Sequence, residues 1–166
     1  QRVAARFPSV AVNMMAMGEV RGELALCDYA DHPGSQHASL IKGVIDGIHQ
    51  GATRYVKVPV GTVDDYCAER GIERINLLKI DVEGFEYFVL RGAGELLGRC
   101  ENVLLEYSPA GLSLAGLEPG ALIELLRRAR LQARAFLGGE LVPISLAQLS
   151  QVPFTEDGWD RSRQLA

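Results

Sequence analysis

Hydrophobic and polar positions near the start of the chain follow patterns that predict β-strands. Residues 22–29 alternate between polar and apolar side chains, as a half-buried strand should, and residues 55–60 alternate again. Residues 10–15 have β-type apolar character until a glycine interrupts them. Because proline cannot donate a ladder hydrogen bond, Pro59 indicates an edge or terminal position for the strand over residues 55–60. We also predict a hairpin-type turn over residues 18–22.

Further along the chain, buried strands alternate with amphipathic helices. Residues 75–80 are apolar apart from Lys79, which is typical of a parallel strand that is covered on both faces. After Gly84, apolar residues recur at helical spacing. Residues 103–105 predict the next strand. Pro119 suits the first turn of a further helix, where its missing N–H does no harm.

Cap and turn signals mark the ends of other elements. Thr62 and Asp65 form an approximate capping box before a short helix that should stop at Gly71. Residues 135–144 predict two strands around a turn at Gly138-Gly139, because no helix follows these glycines as it would in a phosphate-binding loop.

Strands that alternate with helices predict an α/β fold, with a terminal antiparallel hairpin closing one edge. The length of 166 residues corresponds to about one domain. Residues 31–51 lose the alternating pattern, and we predict a long loop there with a short helical piece around residues 40–48. A loop of this length in a compact domain often closes over a ligand.

Composition narrows the functional classes. The net charge of -4 and the sequence pI near 5.4 provide no general cationic field for a nucleic acid, and the arginine-rich stretch 127–134 fits the solvated face of a helix. No apolar run approaches the roughly 20 residues of a membrane span. Cys27, Cys67 and Cys100 are scattered, which favours reduced thiols in a cytoplasmic protein.

Acidic side chains follow two of the predicted parallel strands. Asp81 and Glu83 come after the first strand, and Glu106 comes after the second. Ligands of open α/β sheets bind beyond the carboxyl ends of such strands, so we expect these three carboxylates to converge on one pocket. Residues two apart in a strand point the same way, which would place Asp81 and Glu83 on one face as the strand ends.

This pattern allows two kinds of explanation. Neighbouring carboxylates repel each other, which raises at least one pKa and suits a general base. Together with Glu106 the pair could also hold a hard cation such as Mg²⁺. In the structural explanation, Asp81 caps the following helix and Glu83 favours its positive end. Gly84 permits a tight turn or the close approach of a ligand.

The histidines and the single tryptophan give weaker signals. His32, His37 and His49 lie in or beside the long loop, and their spacing matches no zinc signature. We interpret them as surface residues, although His37 is a candidate base if the loop folds over the site. Trp159 stands in a polar tail and is interpreted as a packing anchor.

Taken together, three segments of the chain resemble the FkbM family of methyltransferases. They are Val58–Tyr66, Ile75–Gly84 and Val89–Ala93. The most specific parts are Leu78–Gly84 and the Arg-Gly-Ala triplet that closes the third segment. The resemblance extends over about residues 13–109.

The resemblance implies a Rossmann-like sheet with helices on both faces, and methyl transfer from S-adenosylmethionine to a hydroxyl of a sugar, polyketide or related metabolite. It would place Asp81 at the reacting centre and against the cofactor. Glu83 would support it or share a metal, Glu106 would line the side of a small-molecule or glycan acceptor, and Met15 and Ala16 would lie near the adenine.

The chain also departs from the family pattern. The glycine-rich loop after the first strand of the family and the acidic residue after its second strand have no counterpart here. We therefore expect residues 1–166 to be one partial domain, truncated at the N-terminus, that is poorly stable and inactive alone. Two alternatives are a non-catalytic Rossmann-like binding module and another Rossmann-type transferase, such as one that uses a nucleotide sugar.

Overall fold

The computed structural model describes residues 6–31, 33–45, 51–137, 140–149 and 164–165. It shows a mixed α/β fold with a three-stranded and a five-stranded sheet. The strands are β1 Ala16–Met17, β2 Gly22–Tyr29, β3 Thr53–Gly61, β4 Ile75–Ile80, β5 Cys100–Glu106, β6 Ala133–Leu137, β7 Glu140–Ile144 and β8 Gln164–Leu165. The helices are α1 Val63–Ala68, α2 Glu86–Arg91, α3 Pro109–Leu114, α4 Pro119–Arg128 and α5 Leu146–Leu149.

The smaller sheet has the order β1-β3-β2, with β1 parallel and β2 antiparallel to β3. The predicted hairpin turn over residues 18–22 is therefore wrong, because β3 lies between the strands that this turn would have joined. The Gly18 N–H instead donates to the carbonyl of Gly61 at 2.8 Å, which continues the pairing of β1 with β3.

Two further strand predictions change in detail. The prediction of a strand over residues 10–15 is wrong, because Val10, Val12 and Met14 are exposed. In this part of the chain, strand pairing is confined to the two residues of β1. An apolar run without a sheet or core to pack against has no reason to form a strand. Pro59 lies in β3, which is the central strand, but pairs only with β2, since β1 begins opposite Val60. The edge position predicted for Pro59 therefore holds locally.

The larger sheet has the order β4-β5-β8-β6-β7. Strands β4 and β5 are parallel, and β6 and β7 form the predicted antiparallel hairpin at one edge. Gly138-Gly139, the predicted turn, lie outside the described residues. The expectation that β4 is covered on both faces is wrong within the described residues, because Leu77 and Lys79, which lie on the same face of the strand, are exposed.

The helices begin where the cap signals place them. Thr62 caps α1 by accepting the Asp65 N–H at 3.0 Å, and Pro119 occupies the first turn of α4. Helix α2 is shorter than the apolar spacing predicts, because the following residues make other bonds. The backbone N–H groups of Glu95 and Leu96 donate to the carboxylate of Asp64, so this segment is tied to α1 instead of extending α2.

The main hydrophobic core joins the helices to the inner faces of β4 and β5. Leu90 and Ala93 are fully buried in this core, and Ile80 and Leu105 are almost fully buried. This core lies directly beneath the carboxyl ends of β4 and β5. It therefore supports the segments that follow those strands.

The loop after β2 is held by a buried carboxylate at Asp28. Its oxygens accept the backbone N–H groups of Gly34, Ser35 and Tyr29 at 2.7–3.2 Å and a bond from Arg54 at 3.0 Å. Residues 33–45 contain turns and one isolated bridge between Cys27 and Ser39. The predicted helical piece over residues 40–48 extends beyond the described residues, and its described part contains turns with no α-helix.

Replacement of Asp28 should loosen this loop. The hydrogen bond from Gly34, followed by those from Arg54, Ser35 and Tyr29, lowers the pKa of Asp28 from 3.8 to about 2 against the opposing effect of burial. We expect Asp28→Asn to cost about 2–3 kcal/mol of unfolding free energy, since its amide would face backbone donors. Glu23→Gln, at an exposed ion pair on the same strand, should stay within about 0.5 kcal/mol of wild type.

The pH dependence of the Asp28 contribution follows from the sign of the shift. The pKa is depressed in the folded state, so the stabilisation is present above the unfolded value of 3.8 and is lost as the pH falls towards about 2. Urea denaturation of wild type and Asp28→Asn between pH 7 and pH 2.5 measures this. Equal stabilities at pH 7 would contradict the role given to Asp28.

Candidate functional site

A tight turn connects β4 to α2; the predicted site residue Asp81 directly precedes it, and Glu83 lies within it. The turn spans Val82 to Phe85, whose N–H donates to the Val82 carbonyl at 3.3 Å. Its central residues, Glu83 and Gly84, have φ values of 53° and 93°. Two successive positive φ values are typical of a type I′ turn, and a glutamate in this region is uncommon.

This turn corrects the reasoning that paired Asp81 with Glu83. Strand β4 ends at Ile80, so strand alternation does not place the two side chains on one face. The backbone reverses its direction at Glu83, and this reversal brings the Glu83 carboxylate towards that of Asp81. The non-glycine residue at positive φ costs on the order of 1 kcal/mol, which the surrounding contacts must offset.

The turn packs closely against the segment that follows β5. A Cβ added to Gly111 in α3 would lie 2.8 Å from the Gly84 Cα, so Gly111 requires glycine for space, and Gly84 is favoured as glycine by its φ of 93°. Ser108 caps α3 by accepting the Gly111 N–H at 3.1 Å. This backbone contact sets the distance between the ends of β4 and β5, and hence between the acidic residues that each strand carries.

Asp81, Glu83 and Glu106 lie together at these strand ends; we call them the carboxylate cluster. One carboxylate oxygen from each residue lies within 4.8 Å of the others. Asp81 is half exposed, Glu106 is half-buried and the Glu83 side chain is 9% exposed. The structure thus brings the three predicted residues together. Their catalytic role stays a prediction.

Burial and mutual repulsion change the proton affinity of the cluster. Desolvation, followed by the charges of Asp81 and Glu86, raises the pKa of Glu83 to about 7. Desolvation and the charges of Glu83, Glu86 and Asp81 raise the pKa of Glu106 to about 8, and Lys79 opposes this shift. Carboxyl groups with such pKa values can exchange protons near neutral pH.

The structural explanation of the acidic pair is not supported for Asp81. Phe85 occupies the cap position of α2, and no side chain caps this helix. The Asp81 carboxylate instead accepts from the Lys79 ammonium. The N–H groups of Val82 and Gly84 donate to Glu86, at 3.2 and 3.1 Å. The backbone-bonding role that we considered for Asp81 therefore belongs to Glu86.

Glu86 is a residue that sequence reasoning missed. It is buried, and desolvation raises its pKa. An acidic residue at the first position of a helix is a recognisable signal, because its carboxylate can reach back to free N–H groups. Ser39, in the loop after β2, also contacts the turn: its hydroxyl donates to the Glu83 carbonyl at 2.7 Å and accepts the Ile41 N–H.

The loop that contains Ser39 also brings His37 to the cluster. Its Nδ1 lies 3.7 Å from Oε1 of Glu83, so the predicted approach of the loop to the site is observed. This separation exceeds a hydrogen bond, so His37 is a neighbour of Glu83 without a direct bond between the two side chains. His32 and His49 lie outside the described residues.

The predicted adenine contacts lie in the other sheet. Ala16 opens β1, and the methyl end of Met15 covers Gly61 of β3. The end of β1 nevertheless approaches the turn, since a Cβ added to Gly18 would lie 3.3 Å from the Phe85 ring. The cofactor contacts of Met15 and Ala16 stay a prediction.

None of the helices in the described part of the chain is both long and apolar enough to cross a bilayer. The arrangement is that of a half-open acidic site at the carboxyl ends of two parallel strands. It can accept a proton, bind a cation or hydrogen-bond a hydroxyl group.

Comparisons with known proteins find a family model and a curated relative that match this chain. The family model of the methyltransferase FkbM domain matches residues 14–132, which include the whole carboxylate cluster. The 2-O-methyltransferase NoeI of Sinorhizobium fredii (strain NBRC 101917 / NGR234) is 34% identical over 79 residues, 48% of this chain and 32% of that protein. The chain thus spans about a third of this curated relative. No solved structure gives a significant match. Since the family model covers most of the chain, the chain belongs to the FkbM methyltransferase family.

Proposed function

We propose that the protein transfers a methyl group from S-adenosylmethionine to a hydroxyl oxygen of a sugar, polyketide or related metabolite. The observation that carries the proposal is the convergence of Asp81, Glu83 and Glu106 within the matched family domain. The relative named as a 2-O-methyltransferase supports oxygen as the methylated atom.

The fold supports this proposal through the position of the cluster. We propose that β4 and β5 belong to a Rossmann-like sheet, in which ligands bind beyond the carboxyl ends of parallel strands. The cluster lies at that edge, above the core formed by α2, α4 and the two strands. Helices on both faces of this sheet are part of the same proposal.

The chemistry of the side chains suits the proposed cofactor. When bound, S-adenosylmethionine supplies an electrophilic methyl group on a positively charged sulfur. Acidic side chains that outnumber their basic partners favour a cation at this edge. Asp81 is the residue proposed to face the cofactor and the acceptor, and Met15 and Ala16 are proposed to lie on the adenine side.

Each carboxylate has a distinct part in the proposed reaction. Asp81, which is half exposed, orients the acceptor hydroxyl and accepts its proton. Glu106, half-buried on the adjacent strand, lines the acceptor side, and Glu83 supports Asp81 from below. Because the displacement is in line, most of the rate enhancement is expected from positioning of the two reactants.

The surroundings of the reaction complete the proposal. The acceptor is a small molecule or a glycan, with no nucleic acid or membrane surface involved. The thiols of Cys27, Cys67 and Cys100 are free in the structure, which is consistent with the proposed cytoplasmic location.

The proposed function can be tested on the natural gene product. Calorimetric titration with S-adenosylmethionine should show saturable binding, and mass spectrometry of reactions with hydroxylated sugars and polyketides should show products heavier by one methylene. Asp65→Asn, at a surface ion pair with Arg21, is the matched control and should leave both readouts unchanged. Absence of binding and of every methylated product would favour the non-catalytic binding module instead.

A further inference from the structure

The carboxylate cluster carries more negative charge than its neighbours balance. Glu86, which is itself buried, adds a fourth acidic group beside it. Two basic side chains of the described residues contact the cluster: Lys79, which binds Asp81, and His37, near Glu83. Even with both of these charged, the acidic groups predominate when ionised.

One oxygen of Glu83 is not satisfied by the described part of the chain. The side chain is 9% exposed, and its buried Oε2 accepts no hydrogen bond from the described residues. A buried carboxylate oxygen without a partner is costly, and the positive φ of Glu83 adds backbone strain. A ligand on this oxygen would offset both costs.

We propose that the carboxylate cluster binds a divalent cation of the Mg²⁺ or Mn²⁺ type. These ions prefer oxygen ligands at about 2.0–2.2 Å, so the ligand oxygens on one ion lie about 3–4 Å apart. The separations of up to 4.8 Å in the cluster need only a small contraction. Charge neutralisation by the cation would also satisfy Glu83, which Lys79 and His37 do not achieve.

The exposure of Asp81 leaves one side of the proposed ion open. A water molecule or an acceptor hydroxyl can complete the coordination there, and a bound cation makes a hydroxyl easier to deprotonate. This consequence for catalysis rests on the proposed function. Binding of the metal ion does not, because it needs only the three side chains.

Mn²⁺ provides a direct probe, since its electron paramagnetic resonance signal reports the free ion. The purified protein should bind one Mn²⁺, with competition by Mg²⁺. Asp81→Asn and Glu106→Gln should each lower the Mn²⁺ affinity about 10-fold or more. Glu101→Gln is the matched control, because Glu101 lies on the same strand as Glu106 but pairs with Arg74 on the surface.

Circular dichroism confirms that each variant is folded, and the half-exposed Asp81 provides a readout if Glu106→Gln folds poorly. No Mn²⁺ binding at millimolar concentration would overturn the inference and would indicate a shared proton instead. Equal affinity in Asp81→Asn and wild type would also overturn it, because the Mn²⁺ would then bind elsewhere. Methyl transfer without metal binding would contradict this inference alone. Metal binding without S-adenosylmethionine binding or turnover would contradict the proposed function alone.

Discussion

Asp81→Asn should lower the turnover number for methyl transfer about 10²–10⁴-fold, because an amide cannot take up the proton that the methylated hydroxyl group loses. The affinity for S-adenosylmethionine should fall much less than the turnover number. The substitution keeps the shape of the side chain, and its lost partner is the exposed Lys79 ammonium, so the unfolding free energy should change by less than about 1 kcal/mol. Steady-state kinetics and a urea melt on the natural gene product measure both quantities.

Asp65→Asn is a close control for this experiment. Asp65 is 43% exposed and pairs with Arg21, whereas Asp81 is 45% exposed and pairs with Lys79. The two substitutions therefore remove the same charge from similar surroundings, one inside the cluster and one outside it. Full turnover by Asp81→Asn would contradict the catalytic role given to this residue. An equal loss of turnover in Asp81→Asn and Asp65→Asn would indicate a general effect of charge.

The elements that could be predicted from the sequence are those whose pattern is local. Alternation predicted β2 and β3, and the capping signal predicted the start of α1. The failures concern pairing between distant segments. Nothing in residues 10–22 indicates that β3 inserts between β1 and β2, because strand order depends on contacts far apart in sequence.

The site shows the same division. The positions of Asp81 and Glu106 followed from the rule for parallel strand ends, but Glu83 reached the cluster by another route. Its positive φ is not signalled by residue type, since glutamate seldom adopts it. Asp28 was also not recognisable, because its importance comes from the backbone N–H groups of a loop that folds back on it.

The same reasoning identifies Gly92 as the glycine whose replacement should cost most stability. Its φ of -76° suits any residue, so a turn conformation does not explain it. Space does: a Cβ at this position would overlap the carbonyl oxygen of Gly18 and lie 2.9 Å from its carbonyl carbon. Gly18 cannot easily retreat, because its N–H is bonded to Gly61 and its Cα faces Phe85.

Gly92→Ala should therefore lower the unfolding free energy by about 3 kcal/mol or more and the Tm by roughly 10 °C, since backbone must move to relieve the overlap. Gly98→Ala, where nothing lies within 4 Å of the added Cβ, should be neutral or slightly stabilising. Thermal melts followed by circular dichroism compare the two. Because the Gly18 contact also holds the end of β1 beside Phe85, residual folded Gly92→Ala should bind S-adenosylmethionine more weakly than wild type. If Gly92→Ala had the same Tm as wild type, β1 would not be packed against α2 in this way.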